Sequence, residues 1–145
     1  MATRLQSEVT NLRGDDYVIY IDDADFVGTA TTVQAGSGAF EISWTGNSSD
    51  PFHPLIGSKA NVSILIEDST QTAINSFNTD LIAAAEERFT LKITKNGSLW
   101  WCGYILADLS AIEDIGTPRP YRISAVDGLG RLKSYDFDES GQFNF

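Results

Sequence analysis

Cysteine, histidine and positive charge are scarce in this sequence. Cys102 is the one cysteine among 145 residues, so no disulfide can form within the chain. It lies in the most apolar stretch, which predicts a small, buried core residue. His53 is the one histidine, and both a Ser-His-Asp and a Cys-His arrangement would have to use it. Because His53 lies in a proline-flanked loop and no Gly-x-Ser-x-Gly motif is present, we expect no enzymatic activity.

Long apolar runs are also missing. No segment approaches the roughly 18 apolar residues of a membrane span, and the polar residues 1–12 predict no signal peptide. Twenty acidic and ten basic residues give a net charge of −10. Phosphate and anionic lipid are bound chiefly through Lys and Arg, so this charge disfavours nucleic-acid and membrane binding. We expect DNA to contact the protein only in transit, and we expect no cofactor and no membrane anchor.

A hairpin over residues 89–106 is the clearest local pattern. Its first arm alternates apolar and polar residues, and Asn96-Gly97 supplies a turn that tolerates positive φ. Its second arm is aromatic and contains Gly103, which predicts a bend, a bulge or a close approach of two backbones. Trp100 and Trp101 are neighbours in this arm. Alternation therefore predicts that one faces the core and the other lies at a bend or an interface.

The spacing of apolar residues changes within residues 121–135, from alternation to helical spacing. The first six residues alternate, which predicts a strand with one buried face. Asp127-Gly128 breaks this strand, and Asp127 can cap a following turn, in which Leu129 and Leu132 recur at helical spacing. We therefore predict a strand, a sharp turn and a short helix. The residues that we expect to build this junction by packing are Trp101, Gly103, Tyr104, Asp127, Gly128, Leu129 and Leu132.

The rest of the chain predicts further strands and little helix. Residues 80–87 form the best helical segment, with three alanines and an acidic start. Residues 3–12 are expected either as a two-turn helix or as an extended arm that docks on a neighbour. Residues 45–57 and 107–120 are expected to be loops. Strands are expected over residues 17–22, 27–34, 39–44 and 58–68. The first three are expected to form a meander, with a hairpin-like connection at residues 36–38.

Together these patterns predict a mainly β fold. We expect a small, mostly antiparallel β-barrel or sandwich with one or two short α-helices. Residues 1–135 are expected to form a single domain, followed by an acidic tail over residues 136–145.

The acidic tail has some features of a calcium loop. Gly141 stands at the sixth position of the pattern, and oxygen-bearing side chains stand at the first, third and fifth: Asp136, Asp138 and Ser140. The sequence stops at Phe145, before the twelfth position that supplies a bidentate glutamate. We therefore expect a solvated tail and no metal site, with weak calcium binding as the alternative.

Two motifs occur in an order that resembles a known family. Trp-x-Gly-Tyr-Ile spans residues 101–105, an acidic loop follows, and Ala-x-Asp-Gly-Leu-x-x-Leu-Lys spans residues 125–133. In this order the motifs resemble the first β-barrel domain of the hub proteins of phage tail tips and baseplates. Gly57-Ser58, followed by an alternating strand, is in keeping with that resemblance, which is carried mostly by residues 89–135. The distal tail adaptor is a close variant.

The resemblance implies a structural protein of the virion, located at the distal tail and made in the host cytoplasm. Hub proteins assemble as rings that join the tail tube to the fibre or spike apparatus and leave a channel for DNA. The implied partners are copies of this chain, as a trimer in preference to a hexamer, and other tail-tip and tail-tube proteins. We further expect residues 1–12 or 136–145 to become ordered only against a neighbouring subunit.

A binding module is the alternative function. A carbohydrate- or calcium-binding β-sandwich would use Trp100 or Trp101 together with an acidic loop, because aromatic faces stack on sugar rings. It requires an exposed tryptophan beside a carboxylate.

Overall fold

A computed structural model of the protein shows one sheet of eight strands packed against one helix. The structure describes residues 1–45, 57–85, 87–112 and 116–129. The elements in chain order are β1 (Ala2–Thr10), β2 (Asp16–Asp23), β3 (Thr31–Thr32), β4 (Gln34–Thr45), β5 (Gly57–Ile66), α1 (Gln71–Ala83), β6 (Phe89–Lys95), β7 (Ser98–Ile112) and β8 (Arg119–Val126). The prediction of a mainly β, mostly antiparallel fold with a short helix is confirmed.

The sheet is curled, and its two edge strands, β3 and β4, are consecutive in the chain. The strand order is β3-β1-β2-β6-β7-β8-β5-β4, and only the β3–β1 pair is parallel among the described pairs. Val33 alone separates β3 from β4; its N–H donates to the Gln6 carbonyl at 2.8 Å. The next residue, Gln34, already lies opposite Leu65 of β5. The described strands do not close into a barrel, because no ladder joins β1 to β4, and the fold is sandwich-like.

Alternating side chains of the long strands form a common core. In β5, for example, Ala60, Val62, Ile64 and Ile66 are buried, while the residues between them are partly exposed. Helix α1 covers one end of this core through three side chains at helical spacing: Ile74, Phe77 and Leu81. The two ends of the fold are therefore different. We call the end covered by the helix the α1 end. The opposite end, where the β1–β2 and β6–β7 connections lie, is the hairpin end.

Aromatic packing holds α1 on the sheet. The Phe77 ring centroid is 5.3 Å from that of Phe89 and 6.2 Å from that of Tyr121. The Tyr121 hydroxyl donates to Asn78 Oδ1 on α1 at 2.9 Å. Burial raises the pKa of Tyr121 to about 12, so the hydroxyl keeps its proton at neutral pH. No helix in the described part of the chain combines the length and hydropathy needed to cross a membrane.

Several local predictions are confirmed. The hairpin of β6 and β7 turns at Asn96 and Gly97, whose φ angles are 49° and 80°. Strands β2, β5 and β8 lie where alternation placed them. Beyond β8, Gly128 and Leu129 form a tight helical turn, and the remainder of the predicted short helix lies outside the described residues.

The helix predicted for residues 3–12 is wrong: the segment is extended, as the alternative had it, but it pairs with the chain's own β2 and does not need a neighbouring subunit to be ordered. The helix predicted over residues 80–87 is confirmed only over residues 80–83. Residues 2–10 form β1, because Leu5 and Ser7 bury their side chains opposite Ile21 and Ile19 of β2. Pairing along the whole strand outweighs the weak tendency of two helical turns. The helix covers residues 71–83 and Ala84 is extended. Its buried positions are separated by Asn, Ser and Thr, which have low helix propensity and hid the pattern.

The predicted meander and two connections are also wrong. Strand β2 pairs with β6, not with β3. Strand β4 continues through residues 36–38 with an irregular register between Ala35 and Phe40, where a hairpin was predicted. Strand β7 extends to residue 112, into the predicted loop. Cys102 is exposed, contrary to the predicted core position, because its neighbours Trp101 and Gly103 face inward and alternation turns it outward.

A buried carboxylate ties the strands together at the α1 end. Asp23 is fully buried and accepts a hydrogen bond from Arg4 Nη1 at 2.9 Å and two from Arg88 at 2.7 and 3.0 Å. Burial opposes its ionisation, but hydrogen bonds from Arg88, the Asp25 N–H and Arg4 outweigh burial and hold the pKa of Asp23 below its usual value. Arg4 also lies 2.7 Å from Asp80 of α1. This one cluster therefore joins β1, β2, α1 and the segment that enters β6.

Replacing Asp23 should destabilise the protein in a pH-dependent way. We expect Asp23→Asn to lower the free energy of unfolding at pH 7 by about 3–5 kcal/mol, since it leaves two arginines without their buried partner. Because the pKa is lower in the folded state, the carboxylate stabilises the fold above its unfolded pKa of about 3.9, and this contribution is lost as pH falls through the folded pKa. The difference between wild type and variant in urea unfolding should therefore shrink in acid.

Asp25→Asn is the matched control. The Asp25 carboxylate faces the same Arg88 at 3.4 Å but is 72% exposed, so we expect a change within about 0.5 kcal/mol. Equal losses for the two variants, or a difference between wild type and Asp23→Asn that is the same at every pH, would contradict the assigned role of Asp23.

Candidate functional site: an aromatic surface at the hairpin end

Ser58 connects three strands at the hairpin end. Its hydroxyl donates to Asp127 Oδ2 at 2.7 Å and accepts from Trp101 Nε1 at 2.9 Å. The Asp127 N–H donates to the Ser58 carbonyl at 3.0 Å, and Asp127 Oδ1 accepts from the Leu129 N–H at 3.2 Å. Asp127 therefore caps the turn after β8 and also joins it to β5 and β7.

Gly103 allows β7 and β8 to approach closely. A Cβ atom built on Gly103 would overlap the Trp101 ring and the carbonyl oxygen of Val126. Tyr104, the next residue, lies opposite Val126 in the β7–β8 ladder. The position thus shows a close backbone approach, one of the possibilities that a glycine in an aromatic strand indicates.

The structure brings together most of the residues assigned to the junction. Trp101 and Asp127 meet at Ser58, and the Leu129 N–H contacts Asp127. Gly128 is exposed in the turn, and Leu132 lies outside the described residues. His53 and the calcium-loop positions Asp136, Asp138 and Ser140 also lie outside them. Within the described ranges, no group of three or more His, Cys, Asp or Glu side chains could hold a metal ion.

A bulge at Trp100 interrupts the alternation of β7, so that Leu99 and Trp100 are both exposed while Trp101 faces the core. Ile93 lies opposite Trp101 and Thr94 lies opposite Leu99, so Trp100 is the extra residue on β7. Trp101 is 8% exposed, whereas Trp100 is 47% and Leu99 is 63% exposed. The prediction of one core tryptophan and one at a bend is confirmed.

Trp100 packs on aromatic residues from two other strands. Its ring centroid is 5.7 Å from Tyr17 of β2 and 6.0 Å from Phe40 of β4, and these two are 5.1 Å from each other. Trp44, which is 62% exposed, lies at the same end, since it stands opposite Ser58 in the β4–β5 ladder. We call this set the aromatic surface: Tyr17, Phe40, Trp44, Leu99 and Trp100.

The rim of the aromatic surface carries a charged pair. Lys95 Nζ is 5.7 Å from the Tyr17 ring centroid and 3.0 Å from Asp15 Oδ2. Hydrogen bonds from Lys95, Asn11 and Asn96 lower the pKa of Asp15, and the hydrogen bond to Asp15 raises the pKa of Lys95. Both groups therefore stay charged at neutral pH, and both oxygens of Asp15 already accept hydrogen bonds within the protein.

Sequence reasoning found Trp100 but missed its partners. Tyr17, Phe40 and Trp100 belong to β2, β4 and β7, which are not neighbours in the sheet. Only the curl of the sheet brings them together, and the alternation of apolar residues within a single strand does not predict that curl. The available signal was the alternation of Phe40, Ile42 and Trp44, which places three large apolar side chains on one face of the strand.

Comparison of the chain with models of protein families, with curated proteins and with solved structures gives no match. The geometry of the site is that of a partly exposed apolar surface with a charged rim.

The Asp127 junction supplies a direct test of this geometry. We expect Asp127→Ala to lower the denaturant midpoint, with a loss of about 0.5–2 kcal/mol in the free energy of unfolding, since the cap of the turn is removed. Asp108→Ala, at an exposed position of β7, is the control and should change stability by less than about 0.5 kcal/mol. An unchanged midpoint for Asp127→Ala would show that the junction does not stabilise the fold.

Proposed function

We propose that this protein is a structural subunit that assembles through its aromatic surface. The observation that carries the proposal is the exposure of Trp44, Leu99 and Trp100 at one end of the fold. Tryptophan, tyrosine and other large apolar side chains that stay exposed in a cluster are typical of protein–protein interfaces. Tyr17 and Phe40 hold the Trp100 ring in place, so little side-chain entropy is lost when a partner binds.

The assembly that we propose is a ring of the phage tail-tip hub type. The resemblance to hub proteins rests on the motifs at residues 101–105 and 125–133, and the first five residues of the second motif lie in the described chain. These motifs meet through Trp101, Ser58 and Asp127, next to the aromatic surface. In this proposal the ring joins the tail tube to the tip or fibre apparatus. The net charge of −10 would let DNA pass through the channel without being held.

The mass of the protein in solution tests the proposal. Light scattering across a concentration series should give a discrete trimer or hexamer. Trp44→Ser should raise the dissociation constant of the assembly about tenfold to a hundredfold, since truncation of a central tryptophan in an interface commonly costs about 2 kcal/mol or more.

Ile82→Ser is the matched control for this experiment. Ile82 is also an exposed apolar residue, at 70%, but it lies on α1 at the opposite end of the fold. We expect no change in the dissociation constant for this variant. A strictly monomeric wild type, or equal effects of the two substitutions, would contradict assembly through the aromatic surface.

Carbohydrate binding is a second candidate, favoured by the exposed Trp100 near the rim carboxylate of Asp15. The hydrogen bonds argue against it, because Lys95, Asn11 and Asn96 already occupy the oxygens of Asp15. Only the second lone pair of Asp15 Oδ1 is left for a sugar hydroxyl.

A titration with glycans distinguishes the two functions. Under the proposed function, tryptophan fluorescence should show no saturable quenching with any glycan of a panel. Saturable quenching that is lost in Trp100→Ala but kept in a variant of the buried end, Tyr121→Phe, would favour the carbohydrate-binding module instead.

A further inference from the structure

An open seam separates β1 from β4. Strand β1 pairs with β3 only at Leu5 and Gln6. After β3 the chain passes through Val33 into β4, which pairs with β5. Beyond this point lies a solvent-open groove of about 700 Å³. The groove is lined by Glu8, Val9, Thr32, Val33, Gln34, Ala35, Gly36, Gly38 and Ala39.

Two backbone edges face each other across the seam. The Gln6 carbonyl points towards β3, so the N–H and C=O of Glu8, two residues further on, point to the same side. Among the described strands, this part of β1 pairs only with β2, whereas residues 36–39 of β4 have no ladder partner and pairing with β5 resumes at Phe40. Unpaired edges of this kind accept an additional strand.

The walls of the groove leave room for large side chains. Ala35, Gly36, Gly38 and Ala39 contribute almost no side-chain volume, while Val9 and Val33 supply apolar contacts. A Cβ added to Gly36 would overlap Ser63 Oγ of β5, so a larger residue here would require the Ser63 side chain to move. The groove is therefore suited to an extended segment with bulky apolar residues at alternate positions.

Residues 142–145 of this chain have that pattern. They read Gln-Phe-Asn-Phe, with Phe143 and Phe145 at period two and no charged side chain. The groove has one charged residue, Glu8, so these four residues meet no strong repulsion, whereas the acidic residues 136–139 would. The described chain ends at Leu129, and residues 130–141 can span about 40 Å when extended.

We propose that residues 142–145 of a second copy add as a strand in the seam between β1 and β4. This proposal rests on the proposed ring function, because a contact between the tail of one subunit and the seam of the next is heterologous, and heterologous contacts generate rings when the rotation closes. The main-chain hydrogen bonds supply affinity, and the two phenylalanines set the register.

Disulfide trapping tests the position of the segment. In full-length protein with Cys102→Ser, the pair Thr32→Cys and Asn144→Cys should give disulfide-linked dimers and larger species under mild oxidation. The control pair Thr72→Cys and Asn144→Cys places the first cysteine on the exposed face of α1 and should not. A disulfide within one chain, or equal yields for the two pairs, would overturn the proposal.

Light scattering separates failure of this proposal from failure of the proposed function. The full-length double variant Phe143→Ser, Phe145→Ser should lose the ring and give monomer, while the control Phe137→Ser should keep the ring. If the double variant stays a ring, the seam proposal is overturned and ring assembly stands. If the wild type is monomeric and the seam cysteines do not crosslink, both are overturned.

Discussion

Burial of the Asp23 carboxylate between two arginines determines how the α1 end is arranged. A charge inside a core is tolerated only when its oxygens are fully engaged, and here Arg4 and Arg88 engage both. Arg4 comes from β1 and also reaches Asp80 of α1, while Arg88 precedes β6. One carboxylate thus fixes two strands, the helix and the entry to a third strand.

The hairpin end depends on a different kind of interaction. It has no fully buried charge among the described residues; its central group is the Ser58 hydroxyl, which accepts from Trp101 and donates to Asp127. Charges at this end, Lys95 and Asp15, lie at the rim. One end is therefore locked by desolvated ion pairs under a helix, whereas the other presents apolar rings on a rigid base.

The parts of the fold that sequence predicted are those whose signal is local. The β6–β7 hairpin follows from Asn96-Gly97 and alternation, and the partition of Trp100 and Trp101 follows from period two. What sequence missed depends on distant partners: β1 is a strand because β2 lies beside it, and α1 is a helix because Phe77 can pack on Phe89 and Tyr121. The candidate site was half predictable for the same reason. Trp100 is visible in the sequence, but its contacts with Tyr17 and Phe40 require the curl of the sheet.

An open strand edge beside exposed aromatic rings is a combination that favours aggregation. Two features of this chain oppose it. The irregular register of β4 around Gly38, whose φ is 71°, interrupts the regular array of donors and acceptors that an arbitrary strand would need. The net charge of −10 makes copies repel one another unless a contact buries enough apolar area to overcome that repulsion. Under the proposed ring function, association would then be selected by register and shape. In the proposed function the same acidity serves twice, because it limits unproductive contact between subunits and repels the phosphates of DNA in the channel.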